Sequence, residues 1–385
     1  MTPRPPLIIA AILGFVGFVT SFGAHIVAVN LPFYAERMGV GLAMIGVLIA
    51  AYDFAEIISK PIFGALADHQ GMKRTMLFGI GVFIAASLLY LVIDPRWLLV
   101  VRFLQGVGAA ALSAVSLALV GVYFAEQRGR AFGVYNALKG AGYVVGPLAG
   151  GLIVARQNFA GIFIASAAVG LLALLLSLSL PAPAKAARAG LGDDDDLSLG
   201  SLLAVFREPR ILPWYAITVV NMFFVGILFG FLPVRLHALG LTASASGLLL
   251  SIVSLAYLIV QPVAGVLADR ASPVITIRLG LLLAGSSVIA IPFVQGPWLV
   301  VTAVVAGLAV GTVWTNTDAL ISLLAHEGRL GATMGAAGSF KELGDMVGPI
   351  LVGVLSQRFG LTAGFVGCGA LGLLALGWVV RARQH

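Results

Sequence analysis

The sequence predicts an all-α integral membrane protein with twelve transmembrane helices in two pseudo-symmetric six-helix bundles. Three observations predict it. First, of 385 residues 60% are hydrophobic and only 10% charged, against about 25% charged in a soluble domain, and the mean hydropathy is +1.06. Second, apolar runs of about 20 residues, each enough for one bilayer crossing, recur along the whole chain, while the alternating pattern of a membrane barrel is absent. Third, the chain repeats itself. GALADHQGMKRTM from Gly64 returns as GVLADRASPVITI from Gly265, an offset of 201. The same offset aligns Leu31-Pro32 with Leu232-Pro233, Gly39 with Gly240, Gly46 with Gly247, Pro61 with Pro262, Trp97 with Trp298 and Gly106 with Gly307. After one inserted residue it aligns Lys139 with Lys341, Gly142 with Gly344 and Gly146-Pro147 with Gly348-Pro349.

The first half, residues 1–181, holds six spans. Span 1 (7–35) carries His25; it is too long for a signal-peptide core and no small-residue cleavage site follows, so it is expected to be retained. Span 2 (41–68) places Asp53, Glu56 and Lys60 at i, i+3 and i+7, on one helix face. Span 3 (74–93) follows a tight Gly-rich turn. Span 4 (97–124) begins near Trp97 and sets Arg102 about one and a half turns into the bilayer, where it either serves the interior or snorkels outward. Span 5 (131–155) contains Lys139 and a run of small residues that offers a smooth face for close helix packing. Span 6 (159–181) is apolar throughout.

Residues 182–210 form the one sizeable linker. It contains PAPAKAARAG and four aspartates, Asp193 to Asp196, and reads as a solvated connection, with LSLGSLLAVFREP able to form a short interfacial helix. Residues 211–385 then hold spans 7 to 12, near 211–236, 243–269, 274–293, 297–325, 331–356 and 361–381. Span 10 carries Asp318 among Trp314, Asn316 and Thr317. Span 11 groups Lys341, Glu342 and Asp345. Span 12 contains Cys368, the single cysteine, which excludes an intrachain disulfide and has no metal-ligand spacing.

Basic residues orient the spans. With both termini in the cytoplasm, 14 of the 23 Lys and Arg residues fall on cytoplasmic segments, five on outer loops and four inside helices, as the positive-inside rule requires. The net charge of +7 is thus a topology signal. No basic face with groove-reading aromatics marks a nucleic-acid partner. The expected location is the cell (plasma or inner) membrane.

Twelve spans, a six-plus-six repeat and the turn between spans 2 and 3 resemble the major facilitator superfamily. Gly64, Asp68, Gly71, Lys73 and Arg74 match its G-x-x-x-D-x-x-G-[RK]-[RK]-[RK] pattern, with His69 and Met72 departing from the usual basic residues. The resemblance implies a conformational latch. The physics agrees: glycines permit a tight turn, and the Asp68 carboxylate can dock on a helix N-terminus. In span 5, Gly142, Gly146, Pro147, Gly150 and Gly151 read G-x-x-x-G-P-x-x-G-G, similar to the antiporter motif of the twelve-helix drug–proton antiporters. Arg102, Gln105, Gly106 and Gly108 resemble the R-x-x-Q-G-x-G element, whose arginine is associated with proton transfer.

The membrane interior is unusually charged. His25, Asp53, Glu56, Lys60, Arg102, Lys139, Asp318, Lys341, Glu342 and Asp345 are the candidate substrate and proton pathway. Each ionised group at the bilayer centre costs at least about 2.5 kcal/mol on insertion scales, so chance placement is a poor account. Glu56 with Lys60, or Lys341 with Asp345, would make structural pairs within one helix. Lys341 with Asp53 or Glu56, and Lys60 with Glu342 or Asp345, would pair across the two halves. Asp53, Glu56 and Asp318 are the proton-carrier candidates, because burial in a dry cavity disfavours a charged carboxylate.

The expected function is secondary active transport by alternating access around a midplane cavity. Proton-coupled export of a small hydrophobic or amphipathic compound comes first. Uptake or exchange of an anionic or zwitterionic solute is the alternative, and a non-transporting assembly factor or receptor of the same fold stands behind both. No phosphate-binding G-x-x-x-x-G-K-[ST] loop occurs, so energy comes from an ion gradient or the substrate's own. No nucleophile–base pair or metal cluster suggests an enzyme. No cofactor is expected, and the partners are a small-molecule substrate, protons and the lipid bilayer, with a monomeric chain.

Overall fold

The computed structural model describes residues 6–31, 33, 39, 41–124, 128–156, 158–181, 206–270, 272–325 and 330–374. The Asp193–Asp196 run, the linker up to residue 205 and the end of span 12 lie outside the described residues. The described chain is all helix, without strands. Its twelve helices are α1 Pro6–Ala28, α2 Leu42–Gln70, α3 Met72–Leu89, α4 Leu98–Tyr123, α5 Arg128–Ala155, α6 Phe159–Leu178, α7 Leu212–Ala238, α8 Ala243–Arg270, α9 Pro273–Ala290, α10 Gly296–Leu324, α11 Leu330–Phe359 and α12 Leu361–Leu374. Ten of them, α1 to α10, are long and apolar enough to cross a membrane. α11 is 30 residues long but carries Lys341, Glu342 and Asp345, and α12 is an apolar helix of 14 described residues.

Apolarity on every side makes helices obligatory, since lipid offers no hydrogen-bond partner for a free backbone. It also hides which helices are central. Burial reveals that. Every residue of α7 from Asn221 to Val234 is buried, whereas α6 leaves Leu171, Leu172, Leu175 and Leu178 exposed along one stripe. An exposed leucine stripe on a bilayer-crossing helix is a lipid-facing surface.

The chain divides into two compact units. One comprises residues 1–34, 51–193 and 242–251; the other comprises 35–50, 194–241 and 252–385. The main pairings inside the first are α1 with α5, α3 with α4 and α3 with α6; inside the second they are α7 with α11, α9 with α10 and α9 with α12. These are the same pairs in repeat-equivalent order. Small residues make them possible. Added Cβ atoms on Gly142 and Gly146 of α5 would press on the α1 backbone at Phe18 and Phe22; on Gly344 and Gly348 of α11 they would press on α7 at Val219 and Phe223. Where lipid tails are as apolar as side chains, such close approach supplies the dispersion contacts that hold helices together.

Each unit also takes in the first residues of one helix from the other repeat. In the first, Gly247 of α8 sits on the Pro147 carbonyl of α5 and against Gly151, and the Ser251 hydroxyl donates to the Val144 carbonyl at 2.6 Å. In the second, Gly46 of α2 sits on the Pro349 carbonyl of α11, while Gly353 meets the Leu42 carbonyl. The two contacts are repeat images of each other.

The turn between α2 and α3 depends on one glycine. Gly71 has φ 100° and ψ 131°; its N–H closes α2 on the Ala67 carbonyl at 2.9 Å, and its own carbonyl accepts from Thr75 at 3.1 Å. A side chain strains that backbone, so Gly71→Ala is expected to destabilise the protein by about 1–3 kcal/mol, read in a denaturant titration in detergent. Unchanged stability would mean that the turn relaxes freely. Beside it, Lys73 donates to the Leu178 carbonyl at 2.8 Å and the Leu180 carbonyl at 2.5 Å. Its ammonium thereby caps the C-terminal end of α6, where the helix dipole favours a cation.

Candidate functional site

Polar groups inside the helices gather at two places, one in each unit. In the second unit, α7 contributes Thr218, Asn221 and Met222, α10 contributes Trp314, Thr317 and Asp318, and α11 contributes Lys341; together they line one pocket. The Lys341 ammonium donates to Asp318 Oδ2 at 2.6 Å and lies 4.4 Å from the centre of the Trp314 ring. Tyr257 of α8 meets that indole edge-on, with ring centres 5.5 Å apart. The ion pair is largely shielded, with side-chain exposures of 16% for Lys341 and 24% for Asp318. An ammonium held by a carboxylate and an indole face together is favoured in such a setting.

The other polar atoms here are arranged asymmetrically. The Thr218 hydroxyl donates to the Trp214 carbonyl at 3.0 Å and the Thr317 hydroxyl to the Val313 carbonyl at 2.7 Å. Asn221 donates its amide N–H to the Val310 carbonyl at 3.1 Å. Asn221 Oδ1 and Asp318 Oδ1 are buried and accept from no donor within the described residues. The pocket therefore offers acceptors.

In the first unit the organising group is Arg102 of α4, 2% exposed. It donates to Gln105 Oε1 at 2.9 Å and to the Ala24 carbonyl of α1 at 3.3 Å, and it lies 4.5 Å above the Tyr52 ring of α2. Tyr90 donates to the same Gln105 oxygen at 3.3 Å, and Gln105 donates to the Ser87 hydroxyl at 3.5 Å. Next to Ala24, His25 Nδ1 lies 2.8 Å from the Ser21 carbonyl and its ring packs on Tyr143 of α5 at 4.5 Å. Three helices, α1, α2 and α4, thus meet at one guanidinium, with Gln105 linking it to α3. The outward-snorkelling arrangement does not occur.

The pairing of the buried charges adds one partner to those expected. Lys341 reaches Asp318 on the neighbouring α10, a partner that the sequence alone does not name for it. Helical side chains lean toward the N-terminus, so a lysine four residues before an aspartate leans away from it. The reverse order, with the acid first, brings the groups together, and Glu56 and Lys60 of α2 do form an i, i+4 ion pair. Glu56 is buried, while Asp53, Lys139, Glu342 and Asp345 are half-buried on α2, α5 and α11. Of the charges in the second unit, Glu342 and Asp345 do not line the pocket around Asp318.

Of the latch residues, Gly64 has open space beside its Cα, Gly71 and Lys73 act as described above, and Arg74 is exposed. The Asp68 side chain lies outside the described part. The motif glycines Gly142, Gly146 and Gly150 pack on α1, whereas Gly151 turns to α8 with Pro147. Sequence reasoning missed Thr218, Asn221, Tyr257, Tyr52, Tyr90 and Ser87. The repeat carried a signal for one of them: Tyr257 stands 201 positions after Glu56, at the same place on its helix. Asn221 is one amide in a long apolar run, and a polar residue in such a run is worth testing as a site residue.

Comparison with known proteins places this geometry. The family model described as Major Facilitator Superfamily matches residues 13–237 and 214–385. The multidrug resistance protein MdtG of Salmonella paratyphi C is 25% identical over 360 residues, covering 90% of this chain and 88% of that protein. The puromycin resistance protein pur8 of Streptomyces alboniger is 40% identical over 153 residues, which is 39% of this chain and 30% of pur8. A crystal structure of a bacterial homolog of the human lysosomal transporter Spinster superposes with a TM-score of 0.84 at 15% identity, covering all of this chain and 98% of that one; at that identity the likeness concerns the fold alone.

Proposed function

The chain belongs to the Major Facilitator Superfamily, as a multi-pass membrane transporter and not an enzyme, and from that premise we propose that it exports a small hydrophobic or amphipathic compound in exchange for protons. The observation that carries this reading is the Asp318–Lys341 pair, a carboxylate inside the bilayer-crossing α10 held by an ammonium of α11. A proton arriving on Asp318 removes the charge that holds Lys341, so the pair has two states that a proton selects. Glu56, held by Lys60, and Asp53 are further carrier candidates, and Arg102 with its hydrogen-bonded neighbours is the candidate proton relay of the first unit. The multidrug resistance protein matched over nearly its whole length supports export. Lys60 and Lys341 each face a carboxylate, which weakens the case for an anionic solute.

In this reading residues 1–181 and 211–385 are the two rocking bundles, 182–210 is a cytoplasmic linker with both termini on the same side, and the chain works as a monomer. Asp68 is the latch carboxylate at the end of α2. Everted membrane vesicles test the coupling. An imposed pH gradient, acid inside, is expected to drive accumulation of a fluorescent amphipathic substrate, and Asp318→Asn to abolish that accumulation. If Asp53→Asn, Glu56→Gln and Asp318→Asn all retain full gradient-driven transport, proton coupling through these carboxylates is refuted.

A further inference from the structure

The pocket around Asp318 has a donor–acceptor imbalance that specifies its ligand. Both threonine hydroxyl hydrogens are committed to backbone carbonyls, Thr218 to Trp214 and Thr317 to Val313. One of the two Asn221 amide hydrogens is committed to Val310. What these groups leave in excess is acceptor oxygen. Two of the oxygens, Asn221 Oδ1 and Asp318 Oδ1, are buried with no donor within the described residues, and Asn221 itself is 2% exposed. An unsatisfied buried acceptor is costly, and two in one pocket ask for one group bearing several N–H donors.

Lys341 is the one cationic side chain lining the pocket, and its ammonium is already seated between Asp318 Oδ2 and the Trp314 ring. A carboxylate beside an indole face, with Tyr257 edge-on to it, is the surround that favours an organic cation. No water-sized space stands free beside the seated Lys341 ammonium, far from the roughly 300 Å³ of a small-molecule site, so a ligand group enters only as that ammonium withdraws. The pocket takes a head group, not a whole amphipathic molecule.

We propose that this pocket binds the protonated primary amine of the transported molecule, in the place that the Lys341 ammonium holds in its absence. Lys341 is a tethered competitor: it satisfies Asp318 in the empty protein and yields when an amine arrives with an apolar body to bury. The N–H donors are the discriminating feature. A quaternary ammonium offers charge to Asp318 and the indole but no hydrogen for Asn221 Oδ1 and Asp318 Oδ1. An anion meets the Asp318 carboxylate and the Asn221 oxygen, with Lys341 already held by Asp318. The inference rests on the transport reading for the words "transported molecule", but the binding site itself can be tested without any gradient.

Isothermal titration calorimetry on the full chain in detergent, near neutral pH, tests it with three probes sharing one aromatic body: 2-phenylethylamine, its N,N,N-trimethyl derivative and phenylacetate. The primary amine is expected to bind, and the other two to bind at least tenfold more weakly. Because an internal ligand lowers apparent affinity to the fraction of time it leaves the site free, Lys341→Met should tighten amine binding, by about tenfold for a site free roughly one-tenth of the time. Lys341→Gln serves as a second variant should the methionine variant fold poorly. Asp318→Asn should abolish binding. Equal binding of the trimethyl derivative, or phenylacetate binding that Lys341→Met removes, overturns the proposal, as does no amine binding by wild type and both Lys341 variants. If the binding pattern holds while vesicles transport nothing, the amine site stands and the transport reading falls. If vesicles transport while amines fail to bind, the amine site falls alone.

Discussion

Asp318→Asn and Lys341→Met, each made singly, are expected to destabilise the protein by about 3 kcal/mol, and the double variant to return to within about 1 kcal/mol of wild type. Removing one partner of a shielded ion pair strands the other charge, at a cost of about 3–5 kcal/mol, whereas removing both leaves neutral groups that pack. The lower end applies because the two side chains retain 16% and 24% exposure, and because the Trp314 ring still holds the lysine when the aspartate is gone. The measurement is a denaturant titration of each purified variant in detergent, combined as a double-mutant cycle. Simple additivity of the two losses would show that Asp318 and Lys341 act independently. The contrast with α2 is informative. Glu56 and Lys60 are one turn apart on the same helix, so their pair forms without tertiary structure; the Asp318–Lys341 pair exists only when α10 and α11 are packed.

The second large effect is expected at Gly247 and Gly46. A Cβ at Gly247 would fall on the Pro147 carbonyl, and one at Gly46 on the Pro349 carbonyl. Both obstacles are backbone, so no side chain can swing away. Overpacking of this kind costs about 1–3 kcal/mol or more, and withdrawal of the helix start relieves it. If alternating access parts these contacts, Gly247→Val will favour the parted conformation by about 5- to 150-fold, the range that 1–3 kcal/mol spans. Spin labels on Leu152→Cys and Leu248→Cys, both at exposed positions, in a Cys368→Ser background, report the separation of α5 and α8. A longer distance should become the major population in Gly247→Val. An unchanged distribution with normal transport would remove this contact from the transport cycle. The repeat strengthens the case, since Gly46 and Pro349 reproduce the arrangement from the other sequence half.

Much of this was legible without coordinates. Bilayer physics admits few solutions for a chain with 10% charged residues, and the recurring apolar runs name twelve helices because each must satisfy its backbone internally. The offset of 201 residues made the twofold organisation readable, since matching glycines and prolines mark matching turns and close contacts. Gly71 shows the same directness: a glycine between two helices at a sharp turn implies a backbone that other residues resist, and its φ of 100° bears that out. The unusual charges, Asp318 and Lys341 among them, stood out against an apolar background.

What a sequence of this kind determined by itself was therefore composition, periodicity and the identity of the costly groups. Partnership was left to the tertiary structure. A helix apolar on all sides carries no mark of which face meets protein and which meets lipid, so the burial of α7 from Asn221 to Val234 and the lipid-facing leucine stripe of α6 had no signature in hydropathy. For the same reason Asn221 stayed hidden until α7, α10 and α11 were packed around it. Lys341 had several carboxylates within reach by sequence distance, and the backward lean of helical side chains with the packing of α11 on α7 beside α10 decided for Asp318. Chemistry of single residues is written along the chain; the direction in which each residue points is a property of three helices at once.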